Sequence, residues 1–282
     1  MTVDTESRQK PARLADGPAA RLPRSLRPPT RPSRLSASLT MGLRALLKVR
    51  RTPEQLADAI LIPVIFTVLF TYVFGGALSG SPQEYLQDLL PGTLVLAVLL
   101  MTVFSGVGLN TDRGLGRLQR FRSLPIWQPA LIVGGLIGDA FRYLISGTLV
   151  IGLGLVMGFR PDGGAAGAGA AVALILVFAF ALSWVWTSIG LVARTPQAVS
   201  MMSFLIQFPL TFASNAFVSP VTMPGWLRAF VDANPVSHLV GAERALMNGT
   251  AAAGQAGWVL LASAALIAVF GPLTMLLYRS RA

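Results

Sequence analysis

Six long apolar stretches lie between Ala59 and Tyr278, separated by polar loops, and nearly all the arginines fall on alternate loops. A helix needs about 20 apolar residues to cross roughly 30 Å of hydrocarbon. Backbone exposed to lipid must make its hydrogen bonds internally, so the stretches are predicted to be helices and the fold all-α. The expected spans are 59–78, 89–111, 138–158, 170–193, 199–218 and 258–278. The third is the least clean, because Asp139 and Arg142 stand at its start.

Composition agrees with a membrane chain. The 282 residues are 53% hydrophobic and only 12% charged, about half the charged fraction of a soluble domain. Cysteine is absent, which excludes disulfides, thiolate nucleophiles and Cys-type metal sites. A single histidine, His238, argues against a histidine metal cluster. The net charge of +11 would suggest nucleic acid elsewhere, but its distribution follows topology instead.

Nineteen Lys/Arg lie on one side of the six stretches. They occupy the segment before the first, the loop with Arg113, Arg117, Arg120 and Arg122, the turn with Arg194, and the tail with Arg279 and Arg281. The other side holds Arg160, Arg228 and Arg244 alone. Positive charge marks the cytoplasmic side, so both termini are expected there. Arginine outnumbers lysine twenty-one to two amid abundant Ala and Gly, which suggests a GC-rich bacterial genome and hence a bacterial cell membrane.

Residues 1–34 carry six prolines and eight Lys/Arg with few large apolar side chains, and they are expected to be a disordered basic tail. They lack the apolar core of a cleaved signal peptide. The tail either touches anionic headgroups or simply helps fix topology. In residues 35–51, Leu35, Leu39, Leu43, Leu46 and Leu47 share one helical face, with Thr40, Arg44, Lys48 and Arg51 opposite. That pattern predicts an amphipathic helix in the cytoplasmic interface, ended by Pro53, or else an extension of the first span.

Two loops stand out. In Asp112–Pro129, Leu115, Leu118, Phe121 and Arg122 fall at helical spacing until Leu124-Pro125 stops the pattern. Such a basic helix could seat in a groove of a soluble partner; the alternative is a basic loop that only enforces topology. In Ser219–Gly257, Pro224 fits a first helical position. Trp226, Leu227, Phe230 and Val231 form an apolar face, and Asn234-Pro235 breaks it. A second short helix, 236–247, closes at Asn248-Gly249. Both are expected as re-entrant or interfacial pieces on the outer side, with His238 as a structural hydrogen bonder. The Gly-rich run 163–169 is expected as a flexible outer loop.

Several chemistries are excluded. No G-x-x-x-x-G-K-[ST] loop exists, and the only lysines are Lys10 and Lys48. The chain therefore cannot bind and hydrolyse ATP in the P-loop manner by itself. His238 and Glu243, five residues apart on a short helix, do not align into a catalytic pair. Asp139 and Arg142 are ionisable groups inside a span, a functional suspicion by default. Their i,i+3 spacing lets them pair, and a position near the cytoplasmic end lets Arg142 reach the interface. A structural pair is the reading preferred over a relay.

Four landmarks then carry a resemblance: Arg51-Thr52-Pro53 with Val73-Phe74-Gly75-Gly76; Tyr85-Leu86 with Leu90-Pro91-Gly92; Arg120-Phe121-Arg122-Ser123-Leu124-Pro125-Ile126; and Phe217, Pro220, Met223-Pro224-Gly225-Trp226 and Asn234-Pro235. In this order, over about Leu35 to Arg281, the chain resembles the ABC-2 type permeases, in particular the daunorubicin-resistance group of drug and lipid exporters. The resemblance makes 35–282 one transmembrane domain. It implies that two permeases pair, as a homodimer or with a related permease, and that each docks a separate cytoplasmic ATPase. ATP and Mg would be bound by that partner and no cofactor by this chain. The ATPase-coupling residues would be Gly114, Leu115, Leu118, Arg120, Phe121, Arg122, Leu124 and Pro125. The resemblance also puts the substrate path at the interface between two copies, along the second and fifth spans beside the first. Matching candidates are Phe66, Phe70, Met101, Phe104, Phe204, Phe208, Phe212 and Phe217, as a cluster. Aromatic and methionine side chains suit a large, flat, hydrophobic ligand. Pro209 is expected to give the fifth span a flexible point.

The function so implied is that of a membrane subunit of an ATP-driven exporter for a hydrophobic drug-like molecule or a lipid. A permease for a glycan-linked lipid would need a more polar path. A membrane-embedded lipid-modifying enzyme would need acidic or histidine clusters at the interface, where only Glu54, Asp112 and Asp139 come near. An ATPase-independent carrier would need acidic groups nearer mid-bilayer in several spans.

Overall fold

The computed structural model describes residues 53–116, 130–217 and 223–281, all of them helix or short connection. Eight helices run through these residues: α1 (Pro53–Ser79), α2 (Pro82–Gly114), α3 (Ala130–Met157), α4 (Gly164–Val192), α5 (Pro196–Phe212), α6 (Gly225–Ala233), α7 (Pro235–Met247) and α8 (Ala253–Arg281). The expected tail 1–34, the amphipathic helix 35–51, the coupling residues Leu118 to Pro125, and Pro220 lie outside the described residues.

The all-α expectation holds. Four helices, within α2, α3, α4 and α8, are long and apolar enough to cross a membrane. The helix α1 spans 27 residues, and α5 spans 17, about 25 Å of rise.

α2 is the centre of the bundle and packs against α1, α3, α4, α5 and α7. Its faces are filled by Leu86, Leu90, Leu94, Val95, Val98 and Leu99, all at most 1% exposed. It starts where Ser81 caps it, the Oγ accepting from the Glu84 N–H at 3.2 Å, and Pro82 supplies the preset φ of a first turn. α8 closes the far side against α4 and α7. Close backbone approach holds α2 to α4: a Cβ on Gly106 would overlap the carbonyl of Trp186, and one on Gly190 would overlap the carbonyl of Gly106. Small residues at such contacts let helices pack by dispersion where no hydrophobic drive exists between them.

Three expectations are corrected. The run 163–169 is no flexible loop, because α4 begins at Gly164. A Cβ on Gly163 or Gly167 would collide with the carbonyl of Leu246, so these glycines let the start of α4 press on the end of α7. The Gly163 N–H also donates to the Met247 carbonyl at 2.8 Å. α3 begins near residue 130 and not 138, which puts Asp139 and Arg142 well inside it. Arg142 does not reach outward. It is 9% exposed and turned onto Asp139. Finally, α5 runs through Pro209 and stops at Phe212, short of 218. Asn234 ends it, donating from Nδ2 to the carbonyls of Leu210 at 2.6 Å and Ala213 at 3.1 Å.

The two short helices before α8 form as expected, with Asn234 Oδ1 accepting from the Val236 N–H to start α7. Pro224 precedes the first turn of α6 instead of opening it. The apolar face of α6 is split. Val231 is buried, whereas Trp226 is 76% and Phe230 43% exposed.

Candidate functional site

α5 carries two distinct faces. Phe204, Phe208 and Phe212 recur every fourth residue and so lie on one face. All three are exposed, together with Met201, Met202, Leu205 and Ile206. Phe208 stacks on Phe212 with centroids 4.4 Å apart, and Phe204 tilts onto Phe208 at 5.3 Å. Beyond the end of α5 the series continues: Phe212 to Phe217 at 5.5 Å, then Phe217 to Phe70 of α1 at 5.1 Å, then Phe70 to Phe66 at 5.5 Å. Six of the eight sequence-predicted path residues therefore form one continuous aromatic ladder from α5 to α1. The centroid spacings fall in the range of favourable offset ring pairs. The other two do not join it. Met101 is 1% exposed in the core of α2, and Phe104 packs half-buried against the same core.

The adjacent face of α5, about 100° around the helix, is polar and turned inward. Ser203, Gln207 and Thr211 are each at most 2% exposed, and their side-chain polar atoms have no hydrogen-bond partner. Thr67 and Thr71 of α1 are buried in the same unpartnered state. Sequence reasoning missed this stripe, although the i,i+4 repeat 203, 207, 211 in an apolar segment was a readable signal.

A second polar group lies among α2, α3 and α4. The Tyr143 hydroxyl sits 2.7 Å from Ser105 Oγ and 2.8 Å from Ser183 Oγ. Trp186 Nε1 donates to Thr102 Oγ1 at 2.7 Å. Beside Tyr143 on the same helix, Arg142 Nη2 pairs with Asp139 Oδ1 at 3.2 Å, and both side chains are largely buried. The predicted pair forms, with Arg142 Nε left unpartnered.

At the basic end of α2, Gly114 is the last helical residue and Leu115 is 60% exposed. Gly116 turns the chain with φ of +66°, a conformation that favours glycine. The remaining coupling candidates Leu118, Arg120, Phe121, Arg122, Leu124 and Pro125 lie outside the described residues. The nearby end of α4 is capped from α2: Asn110 Nδ2 donates to the carbonyls of Gly190 and Ala193, and Arg113 Nη1 to that of Leu191.

α7 carries two charged residues, Glu243 and Arg244. Glu243 is fully buried with neither oxygen partnered, and desolvation raises its pKa well above the ordinary carboxyl value. Arg244 reaches the opposite way, donating from Nε to the Asp88 carbonyl at 3.0 Å and from Nη2 to the Ala216 carbonyl at 3.1 Å. Burial lowers its pKa, and the charge of Asp88 opposes that. His238 stacks on Trp258 at 5.8 Å, a ring contact where a hydrogen bond was expected. Among the described residues no group of His, Cys, Asp and Glu could hold a metal ion.

Comparison with known proteins gives a consistent picture. Residues 37–248 match the family model for "ABC-2 type transporter". The chain is 49% identical over 253 residues to the daunorubicin resistance ABC transporter permease protein DrrB1 of Streptomyces coeruleorubidus, covering 90% of this chain and 89% of that one. It is 31% identical over 211 residues to the doxorubicin resistance ABC transporter permease protein DrrB of Mycobacterium tuberculosis, covering 71% and 72%. A probable doxorubicin resistance permease of the same organism, DrrC, is 24% identical over 216 residues.

Proposed function

This chain belongs to the ABC-2 type transporter family, and we propose that it exports a flat hydrophobic drug, such as the daunorubicin or doxorubicin in the names of its relatives, or a lipid. It is a multi-pass membrane protein and the non-catalytic permease component of an ABC transporter. The family implies a partner ATPase, on which ATP and Mg are bound.

α1 to α5 and α8 are the six spans, with α6 and α7 on the outer side and both termini in the cytoplasm of a bacterial cell. Two permeases pair, each with one ATPase. The segment 114–125 seats in the ATPase, and closure of the ATPase pair moves the permeases between inward- and outward-facing states. ATP must bind one of those states better than the other for the shift to occur.

The observation that supports the substrate class is the ladder Phe66–Phe70–Phe217–Phe212–Phe208–Phe204. The rings of Phe204, Phe208 and Phe212 are exposed and those of Phe66, Phe70 and Phe217 half-buried, and in series they offer repeated stacking partners to a planar ligand, each worth about 0.5–1.5 kcal/mol. The buried pair Asp139–Arg142 acts as a structural tie, since each charge neutralises the other on one helix face.

The test uses the permease and its ATPase purified together and reconstituted in vesicles, with ATP-dependent uptake of daunorubicin as readout. Native protein should accumulate the drug. The double substitution Phe121→Asp and Leu124→Asp should insert normally yet lose both ATPase association and uptake. Unchanged uptake in that variant removes the coupling assignment. Absence of uptake by the native complex, with hydrolysis intact, removes the drug.

A further inference from the structure

The end of α4 is closed by another helix. The Ala193 N–H donates to the Ile189 carbonyl, which completes the last turn. The carbonyls that follow have no partner within the helix, as at any helix C-terminus. Side chains of α2 fill three of them. Asn110 Nδ2 donates to Gly190 and Ala193, each at 2.8 Å, and Arg113 Nη1 donates to Leu191 at 2.6 Å. Asn110 is only 4% exposed, so its bonds are sheltered from water. The Arg113 charge also lies at the negative end of the α4 dipole, where a cation is favoured.

These residues fall on one face of α2. Gly106, Asn110 and Arg113 are spaced by four and three, and Gly106 meets Gly190 backbone to backbone. The close approach blocks sliding in one direction and the donors resist separation. One residue beyond Arg113, α2 ends at Gly114 and the chain enters the 114–125 segment. On the other side, Ala193, Arg194 and Thr195 alone separate α4 from α5, whose start Thr195 caps by accepting from the Ala198 N–H.

We propose that Asn110 and Arg113 are positioning residues that clamp the end of α2 to the end of α4, so that displacement of the 114–125 segment reaches the α4–α5 turn and, through it, the start of the helix that carries Phe204, Phe208 and Phe212. The proposal rests on the reading that 114–125 engages the ATPase. It assigns a path from that contact to the start of α5 that runs through hydrogen bonds, beside the side-by-side packing of α2 on α5.

The chain has no cysteine, so thiols can be placed freely. In reconstituted permease–ATPase complex, Asn110→Leu should keep the ATPase bound and hydrolysing. Drug uptake should fall about tenfold, and drug stimulation of hydrolysis should vanish. A loss of that size lies within the 5- to 150-fold range usual for coupled sites. A second variant, Asn110→Cys with Ala193→Cys, should be equally uncoupled as free thiols and should regain uptake when a short bis-thiol reagent bridges the two positions. Rescue by a bridge separates transmission from folding, because a damaged fold is not restored by it.

Native uptake in Asn110→Leu overturns the clamp. So does a bridged pair that hydrolyses ATP without transport. Loss of ATPase association in Asn110→Leu also overturns it, since the residue would then serve docking. Failure of the underlying reading is seen separately, as an ATPase that stays bound and coupled in the Phe121→Asp, Leu124→Asp variant.

Discussion

Tyr143 allows a quantitative test of what binds α2, α3 and α4 together. It is 1% exposed and its hydroxyl bridges Ser105 of α2 and Ser183 of α4. The direction of each proton follows from one further bond. Ser183 Oγ already donates to the Ala179 carbonyl at 2.7 Å, so it can only accept from Tyr143. Tyr143 therefore donates to Ser183 and accepts from Ser105. Tyr143→Phe keeps the ring and removes two interhelical bonds. Such bonds within membranes average about 0.6 kcal/mol and reach at most about 1.7. The expected loss is about 1–2 kcal/mol, part of it from leaving the Ser105 hydroxyl buried without Tyr143. Ser105→Ala alone should cost about 0.6 kcal/mol. Adding Ser105→Ala to Tyr143→Phe should cost nothing further, because the bond is already gone. The assay is reversible unfolding in mixed micelles, read as a double-mutant cycle with a coupling energy of about 0.6 kcal/mol. Fully additive losses, or a Tyr143→Phe protein as stable as the native one, would refute the network.

Three other outcomes follow from buried and stacked groups. Glu243 has a raised pKa in the folded protein, so between about pH 4.5 and that value the folded state holds a proton that the unfolded state releases. Native stability should therefore fall as pH rises from 4.5, by up to about 1.4 kcal/mol per pH unit; Glu243→Gln should abolish that slope and melt higher at pH 7.5, and thermal melts at pH 4.5 and 7.5 check both. Gln207→Leu removes two unpartnered buried polar atoms, each costing about 1–3 kcal/mol, so the melting temperature should rise; a fall would mean that the amide has a partner. Phe208→Ala breaks the ladder at its tightest stack and should raise the drug concentration for half-maximal uptake about tenfold while Phe208→Trp does not, as measured in vesicles.

Hydropathy located these helices but not their ends. Residues 89–111 were expected for α2, whereas Pro82 to Gly114 forms it, because Glu84, Asp88, Asp112 and Arg113 are helical without being apolar. The start was readable all the same in Ser81-Pro82, a cap followed by a first-turn proline. Thr195-Pro196 gives the same signal for α5. The spacings 204, 208, 212 and 66, 70 made two halves of the ladder legible. The joint between them was not, since Phe217 meets Phe70 across 147 positions by tertiary packing alone. Glycines 163 and 167 read as a loop because local propensity disfavours helix there; the Leu246 carbonyl pressed against them is what overrides it. Burial of Glu243 is equally a property of the packed bundle, invisible in a helix whose neighbours are not known.

The way α5 is held separates it from α2, α3, α4 and α8. Interhelical side-chain bonds tie α2 to α3 and α4 through Tyr143, Trp186 and Asn110, and α4 to α8 through Ser188 and Thr274, 2.7 Å apart. Among the described residues α5 has no such bond along its middle, and Ser203, Gln207 and Thr211 are buried there without partners. Its fixed points are terminal. Asn234 donates to the carbonyls of Leu210 and Ala213 at one end, and the turn clamped by Asn110 begins it at the other. A helix with no side-chain bonds to break along its middle loses little hydrogen-bonding energy when it shifts against its neighbour, and what it loses is dispersion across the seam. The burial of three unpaired polar groups also makes the observed seam a weakly favoured arrangement. Both effects lower the cost of displacing α5 relative to its neighbours, and α5 is the helix that carries Phe204, Phe208 and Phe212. A clamp at its start and a weak seam along its length are complementary: the first delivers displacement and the second lets it occur without unfolding the bundle.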